Sequence, residues 1–367
     1  MNEWKKVKLG EICKISAGGD RPSLVSEKET NYCQIPIYSN GIDNQGLYGF
    51  TNKAKIKGDA ITITGRGANA GTVFYRKTAF YPIIRLLSLE PYNDIINPRY
   101  LYYLIKDRTF LSTGSAQPQI TVPNISDYVI SYNANIVDQQ RIATILSRYD
   151  SLIENYQKQI KLLEESAQRL YKEWFIDLRF PGHENTKIVD GVPEGWEKAN
   201  LGTLIEFKRG KTITKKEVVE GNIPVVAGGL EPAYYCNKFN TSKRVITISG
   251  SGANAGYTRM YFEKVWASDC SFADSSMTPY LHFVFCFLHD NKTIIDNMQK
   301  GAAQPHVYAK DINLMEICIP TEIMLKSFEE RASKYFDTIS SLQSQIRHLT
   351  EARDRLLPKL MGGEIKF

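Results

Sequence analysis

The side chains with most chemistry to offer in this chain are basic and amide groups set beside glycine turns. Lys53, Lys55 and Lys57 alternate ahead of the run AITIT (60–64), Arg66 and Asn69 lie inside GRGANAG, and Arg76-Lys77 closes the next extended run. A second group repeats the pattern with Lys208, Arg209, Lys211, Lys215 and Lys216, then Lys243-Arg244 ahead of ITIS and Asn254 inside GSGANAG. Arg21 and Lys28 stand in the loop SAGGDRPSLVSEKE, while Gln117 and Gln119 of GSAQPQI answer to Gln304 and His306 of GAAQPHV. Cationic side chains neutralise phosphates, and guanidinium or amide groups read base edges, so these residues are candidate nucleic-acid contacts.

Catalytic constellations fare worse. The glycine runs are spaced G-x-G-x-x-x-G and lead into strand-like sequence, whereas a phosphate cradle needs a helix N-terminus there. A glycine-rich hairpin turn explains them better. Gly210-Lys211-Thr212 resembles the end of a P-loop, but Ile205 stands where that loop requires glycine. Asn97-Pro98-Arg99-Tyr100 is similar to the N-P-P-Y tetrapeptide of amino-methyltransferases but lacks its second proline, and Pro98 at the first position of a helix is the simpler reading. The histidines His183, His282, His289, His306 and His348 are scattered, the six cysteines include no C-x-x-C pair, and no metal or catalytic set can be nominated.

The chain has 367 residues, 43% of them hydrophobic and 23% charged, which excludes a disordered chain and gives length for two or three domains. The most apolar stretch, LHFVFCFL, is far short of a membrane span, and no secretory signal opens the sequence, so the expected compartment is the cytoplasm, with no membrane partner. Of the net charge of +6, residues 1–135 carry +5.

The elements that must position these residues occur twice. WKKVKLGEICKI matches WEKANLGTLIEF, and ITITGRGANAG matches ITISGSGANAG at nine of eleven positions. The repeat is about 187 residues long. Each copy ends in an apolar stripe at steps of three and four. The first runs through Ile142, Leu146, Tyr149, Ile153, Tyr156, Ile160, Leu163, Leu170 and Trp174; the second includes Tyr335, Ile339, Leu342, Ile346, Leu349 and Leu356, with Arg353 breaking the seam. Two coiled-coil helices follow, each roughly 57 Å long at 1.5 Å per residue, and Pro358 is expected to end or kink the second near Leu357. Between them, β-branched runs, turn signals and a short aromatic helix indicate α+β blocks. The expected organisation is a first domain over 1–135, a helical region over 136–180, a turn-rich linker over 181–195, a second domain over 196–320 and a second helical region over 321–367.

Two blocks that open on Trp and Leu-Gly (PEGWEKANLG) and close on heptad helices (RIATILSRYDSLIENYQKQI and RLLPKLMGGEI) resemble the specificity subunit of a type I restriction-modification system. The resemblance covers essentially the whole chain. It implies an α+β fold of two pseudo-two-fold-related target-recognition domains, separated by two long antiparallel coiled-coil helices that act as a ruler. It implies double-stranded DNA as ligand, with each domain reading one half of an asymmetric bipartite target across about one helical turn. Two methyltransferase subunits and restriction/translocase subunits would be the partners. No cofactor is expected on this chain, and S-adenosylmethionine, ATP and Mg would be bound by those partners. A specificity subunit serving a type IIB/IIG-like methyltransferase-nuclease is a related alternative. A coiled-coil adaptor for proteins is a different one, and it predicts no salt-dependent DNA affinity.

Base contact is expected in loops that differ between the copies, SAGGDRPSLVSEKE against KRGKTITKKEVVE and Arg66 against Ser251. Arg66→Ala should therefore relax one half of the target and leave the other intact. Measured on a panel of target variants, equal loss over all sequences would instead mark a phosphate contact.

Overall fold

In a computed structural model of the chain, residues 4–110, 119–214, 216–299 and 305–365 are described. They form two compact units, Met1–Glu154 with Ile346–Phe367, and Asn155–Gln345. The first copy of the repeat comprises β1 (Trp4–Lys8), α1 (Leu9–Ile12), β2 (Cys13–Ala17), β3 (Ile35–Tyr38), β4 (Leu47–Thr51), β5 (Ala60–Ile63), β6 (Val73–Arg76), β7 (Tyr81–Pro82), β8 (Leu87–Pro91), α2 (Pro98–Ile105), α3 (Val122–Ser126) and β9 (Val129–Asn133). It leads into the long helix α4 (Ile136–Tyr171). A short hairpin follows, β10 (Ile188–Val189) and β11 (Val192–Pro193), closed by Asp190 and Gly191 at φ 50° and 75°. Asp-Gly is the pair a two-residue hairpin turn demands.

The second copy comprises β12 (Glu197–Asn200), α5 (Leu201–Leu204), β13 (Lys208–Arg209), β14 (Ile223–Val226), β15 (Tyr234–Cys236), β16 (Val245–Ser249), β17 (Thr258–Tyr261), β18 (Trp266–Ala267), β19 (Cys270–Asp274), α6 (Leu281–Asp290), α7 (Lys292–Asn297), α8 (Ala309–Asn313) and β20 (Glu316–Ile319). The long helix α9 (Glu322–Met361) closes it. Strand order repeats with the sequence: β2-β8-β5-β6 answers to β13-β19-β16-β17, β4-β3-β7 to β15-β14-β18, and β1-β9 to β12-β20. Even the mixed pairing recurs, with β3/β7 and β14/β18 parallel inside otherwise antiparallel sheets.

Local chemistry explains the frame. β5 (AITI) and β16 (VITIS) are buried at every position, Thr62, Thr247 and Ser249 included, because each strand lies in the middle of its sheet and both of its faces are covered. The glycine run after β5 is a hairpin turn, as its spacing indicated: β5 pairs antiparallel with β6, Gly67 and Gly71 sit at φ 86° and 96°, and the Gly71 N–H donates to the Thr64 carbonyl at 2.8 Å. Its counterpart uses Gly252 and Gly256 at φ 79° and 85°. Pro98 does begin α2, and the Asn97 side chain caps it by accepting from the Tyr100 N–H at 3.0 Å.

Each unit buries part of both long helices. In the first, Ile142 and Leu146 of α4 and Leu360 of α9 join the core beneath the sheet. In the second, Ala167, Tyr171 and Trp174 pack with Phe328, Ala332, Phe336 and Ile339 of α9. Going back from Trp174, in the turn just after α4, to Glu164 within it leads up α9 from Phe328 to Gln343, so the two segments run antiparallel there. Every seam residue predicted from the heptads is buried or half-buried. Compactness thus cuts across the chain order, because the stripe on each helix serves a domain core as well as the other helix.

Two features of α9 depart from a simple heptad. Arg353, the break in the seam, is paired at 2.8 Å with Asp150 of α4, which also accepts from the Tyr103 hydroxyl at 2.5 Å. A charge inside a seam is tolerable when it is paired, and a polar layer also fixes register. Of the expected end or kink near Leu357, the end does not occur: α9 continues through Pro358 to Met361. Proline there removes one hydrogen bond in the last turn, and the burial of Leu360 against the first core offsets that cost.

Phe328 is fully buried and meets the rings of Trp174 and Phe175 at 5.9 and 5.1 Å. Phe328→Ala should cost about 3 to 5 kcal/mol. A lowered denaturant midpoint for the unfolding of the second unit checks this.

Candidate nucleic-acid interface

In each domain three backbone segments converge on one corner. In the first, the Gly65 carbonyl accepts from the Ile120 N–H at 2.9 Å, and Arg66 forms an isolated bridge with Gln119. The third segment is the β7–β8 corner, where the Arg85 N–H donates to the Gly18 carbonyl at 2.8 Å. The second domain repeats this: the Gly250 carbonyl accepts from Val307 N–H at 3.1 Å, Ser251 bridges His306, and the Gly250 N–H donates to the Asp269 carbonyl at 3.2 Å. Counted back from β8 and β19, Arg85 and Asp269 correspond, since Ala17 pairs with Leu87 as Arg209 pairs with Ser271; the second corner is one residue shorter after β18 and lacks the left-handed pair Ile84–Arg85.

The frame is shared but the side chains differ. The first corner opens a cleft of about 340 Å³ lined by Arg21, Arg66, Arg85, Asp20, Tyr48 and Ile84 among others. The second corner carries Ser251, whose hydroxyl donates to the Asp269 carboxylate at 2.5 Å, and His306, stacked on Tyr308 with centroids 6.0 Å apart. The matching corners thus carry opposite charges, Arg85 in the first and Asp269 in the second. Neither was singled out by the sequence, because the β7–β8 and β18–β19 corners bear little resemblance to each other. The sequence offered only a charged residue just before the runs LLSLEP and CSFAD.

The residues 1–165 and 193–348 match the family model for the type I restriction modification DNA specificity domain. The chain belongs to that family. It is 29% identical to the MjaIX type I restriction enzyme specificity subunit of Methanocaldococcus jannaschii, over 99% of this chain and 94% of that one. It is 23% identical to the HindI specificity subunit of Haemophilus influenzae over the full length of both. The crystal structure of the type I restriction-modification S subunit from Mycoplasma genitalium shares its fold, with a TM-score of 0.65 at 20% identity, covering 98% of this chain and 96% of that one.

A type I specificity subunit is a recognition chain and not an enzyme, which agrees with a sequence that nominates no catalytic set. Among the described residues no three His, Cys, Asp or Glu side chains are grouped to hold a metal, and no helix is long and apolar enough to cross a membrane. The remaining basic residues of this specificity subunit divide by environment. Lys28, Lys53, Lys57, Lys77, Lys208, Arg209, Lys211, Lys216 and Lys243 are exposed. Lys55 is exposed too, its ammonium 4.5 Å from the Tyr81 ring. Asn69 is exposed on the glycine turn, and Asn254 is half-buried on the matching one. Gln117, Lys215 and Gln304 lie outside the described residues.

Two predicted contacts have partners within their own domain. Arg244, at φ 55°, stays partly exposed and pairs with the Asp337 carboxylate of α9. Arg76 is buried: its guanidinium stacks over the Tyr38 ring at 3.6 Å, and it donates to the Thr62 hydroxyl at 3.0 Å and the Gln45 carbonyl at 2.7 Å. Burial pulls the guanidinium down to about 10. Alternation along β6 explains this, since the side chain of its last residue faces inward while Lys77 points to solvent. Arg76→Ala should lower stability by about 2 to 4 kcal/mol, through lost packing and unpaired acceptors. Thermal unfolding would register that loss, while base preference in DNA binding should remain that of the parent chain.

Proposed function

We propose that this specificity subunit reads an asymmetric, two-part DNA sequence, one part per domain, and directs partner methyltransferase and restriction subunits to it. The observation that carries this reading is the corner geometry: matching corners of the two repeated domains hold Arg66, Arg85 and Gln119 in one and Ser251, Asp269 and His306 in the other. Two repeated domains suit two stretches of the same double helix. Two different sets of side chains suit two different sequences.

Exposed lysines of the two domains supply the part of the affinity that does not depend on sequence. Each phosphate they neutralise releases counterions, so binding weakens steeply with salt. Methyl transfer and ATP-driven steps fall to the partners, two methyltransferase subunits and the restriction/translocase subunits, with S-adenosylmethionine, ATP and Mg bound there. The protein–DNA reading makes the cytoplasm the place of action.

The test is native long-read sequencing of the adenine methylome in the source strain, with the gene intact, deleted, and restored together with the methyltransferase genes of its locus. One interrupted motif with two unlike halves should vanish on deletion and return on restoration. A restored strain that methylates a continuous motif, or none, would overturn the reading.

A further inference from the structure

The corner of the first domain is built to hold two arginines at a fixed place. Ile84 and Arg85 are consecutive non-glycine residues in the left-handed region, at φ 51° and 56°. Such a conformation is strained for residues with a Cβ and persists only where the surroundings impose it. Here the Ile84 N–H donates to the Gly19 carbonyl at 2.9 Å, the Arg85 N–H donates to the Gly18 carbonyl at 2.8 Å, and the Asn40 side chain donates to the Ile84 carbonyl. The same Asn40 accepts from the Gly65 N–H at 2.7 Å, which ties this corner to the glycine turn that carries Arg66. The strained corner presents Arg85 to solvent, beside an Ile84 that is 55% exposed. Arg66 lines the same cleft, and its Nε is buried without a hydrogen-bond partner. A donor left unsatisfied in the free protein is what a site completed from outside would show.

Guanidinium groups bind both phosphates and guanine, and the second domain separates the two. DNA phosphates are alike along the duplex, so a phosphate contact has no reason to reverse its charge between two copies of one frame. Bases do differ. At the matching corner, which is one residue shorter, the second domain has Ser251 hydrogen-bonded to Asp269. A carboxylate would repel a phosphate, but it accepts from the exocyclic amino group of cytosine. Resting on the bipartite reading above, we propose that Arg66 and Arg85 read a guanine through O6 and N7 in the major groove, and that Asp269, oriented by Ser251, accepts the amino group of a cytosine in the other half of the target. Asp20 on the cleft wall keeps the arginine pair from being a purely cationic patch, which favours a polar base edge over a phosphate.

The experiment repeats the methylome measurement with Arg85→Ala, Arg85→Lys, Arg66→Ala and Asp269→Asn in the full chain, alongside the partner genes. Arg85→Ala and Arg66→Ala should relax one G·C position in one half of the motif, reducing its preference by about five- to a hundred-fold, with the other half unchanged. Lysine at 85 keeps the charge but not the planar fork, so it should not restore that preference. Asp269→Asn should relax a G·C position in the other half only. The unchanged half of each motif reports that the complex is folded and assembled. A uniform fall in methylation that Arg85→Lys repairs would identify a phosphate contact and overturn the assignment, as would a relaxed A·T position or a motif no variant alters. Absence of any interrupted motif with the parent gene would instead overturn the bipartite reading on which the assignment rests.

Discussion

Both recognition corners depend on a backbone crossing that has no room for a side chain. A Cβ on Gly18 would lie 2.7 Å from the Pro82 carbonyl carbon, and one on Gly210 would lie 2.3 Å from the Ser268 carbonyl oxygen. These glycines let β2 and β13 run on beneath the corners after β7 and β18, and the crossings are sealed by Gly18 N–H to Leu86 and Gly210 N–H to Cys270 bonds of 2.8 and 2.7 Å. Everything displayed at the corners inherits its position from this contact. Backbone, not side-chain packing, sets where the reading groups stand.

That arrangement separates stability from specificity. The frame is held by main-chain hydrogen bonds, by buried strands β5 and β16 and by glycine turns, none of which requires the corner residues to be of any particular type. Arg66 can face Ser251 in register, and Arg85 can face Asp269, without disturbing the sheets beneath. A scaffold so built tolerates wide change in the residues that touch a ligand. Arg76 marks the limit of that freedom: the same residue type one strand away is stacked on Tyr38 and belongs to the frame.

The long helices follow the same economy. Their apolar stripes are used twice, against a domain core and against each other, so the seam residues do not form a helical body of their own. The Arg353–Asp150 pair and its Tyr103 neighbour replace one apolar layer in the first unit. A paired polar layer contributes less stability than a packed one, but it penalises any slip of one helix along the other.

The sequence by itself determined the duplication, the strand-turn-strand character of both glycine runs, the cap that starts α2 and the two amphipathic helices, because each depends on periodicity or on residues a few positions apart. Family membership was equally legible, since it rests on order and spacing along the chain. Only the tertiary structure decided that Arg85 and Asp269 stand at matching corners, that Arg66 meets Gln119 and Ser251 meets His306, that Arg76 is buried and Arg244 pairs with Asp337, and that α9 runs through Pro358. Those outcomes depend on contacts between segments tens of residues apart, where loop lengths differ between the copies and alignment fails. They also depend on which face of a strand is buried, and a one-residue change of register reverses that. Local rules gave proline its stopping tendency, and a distant core overrode it by burying Leu360.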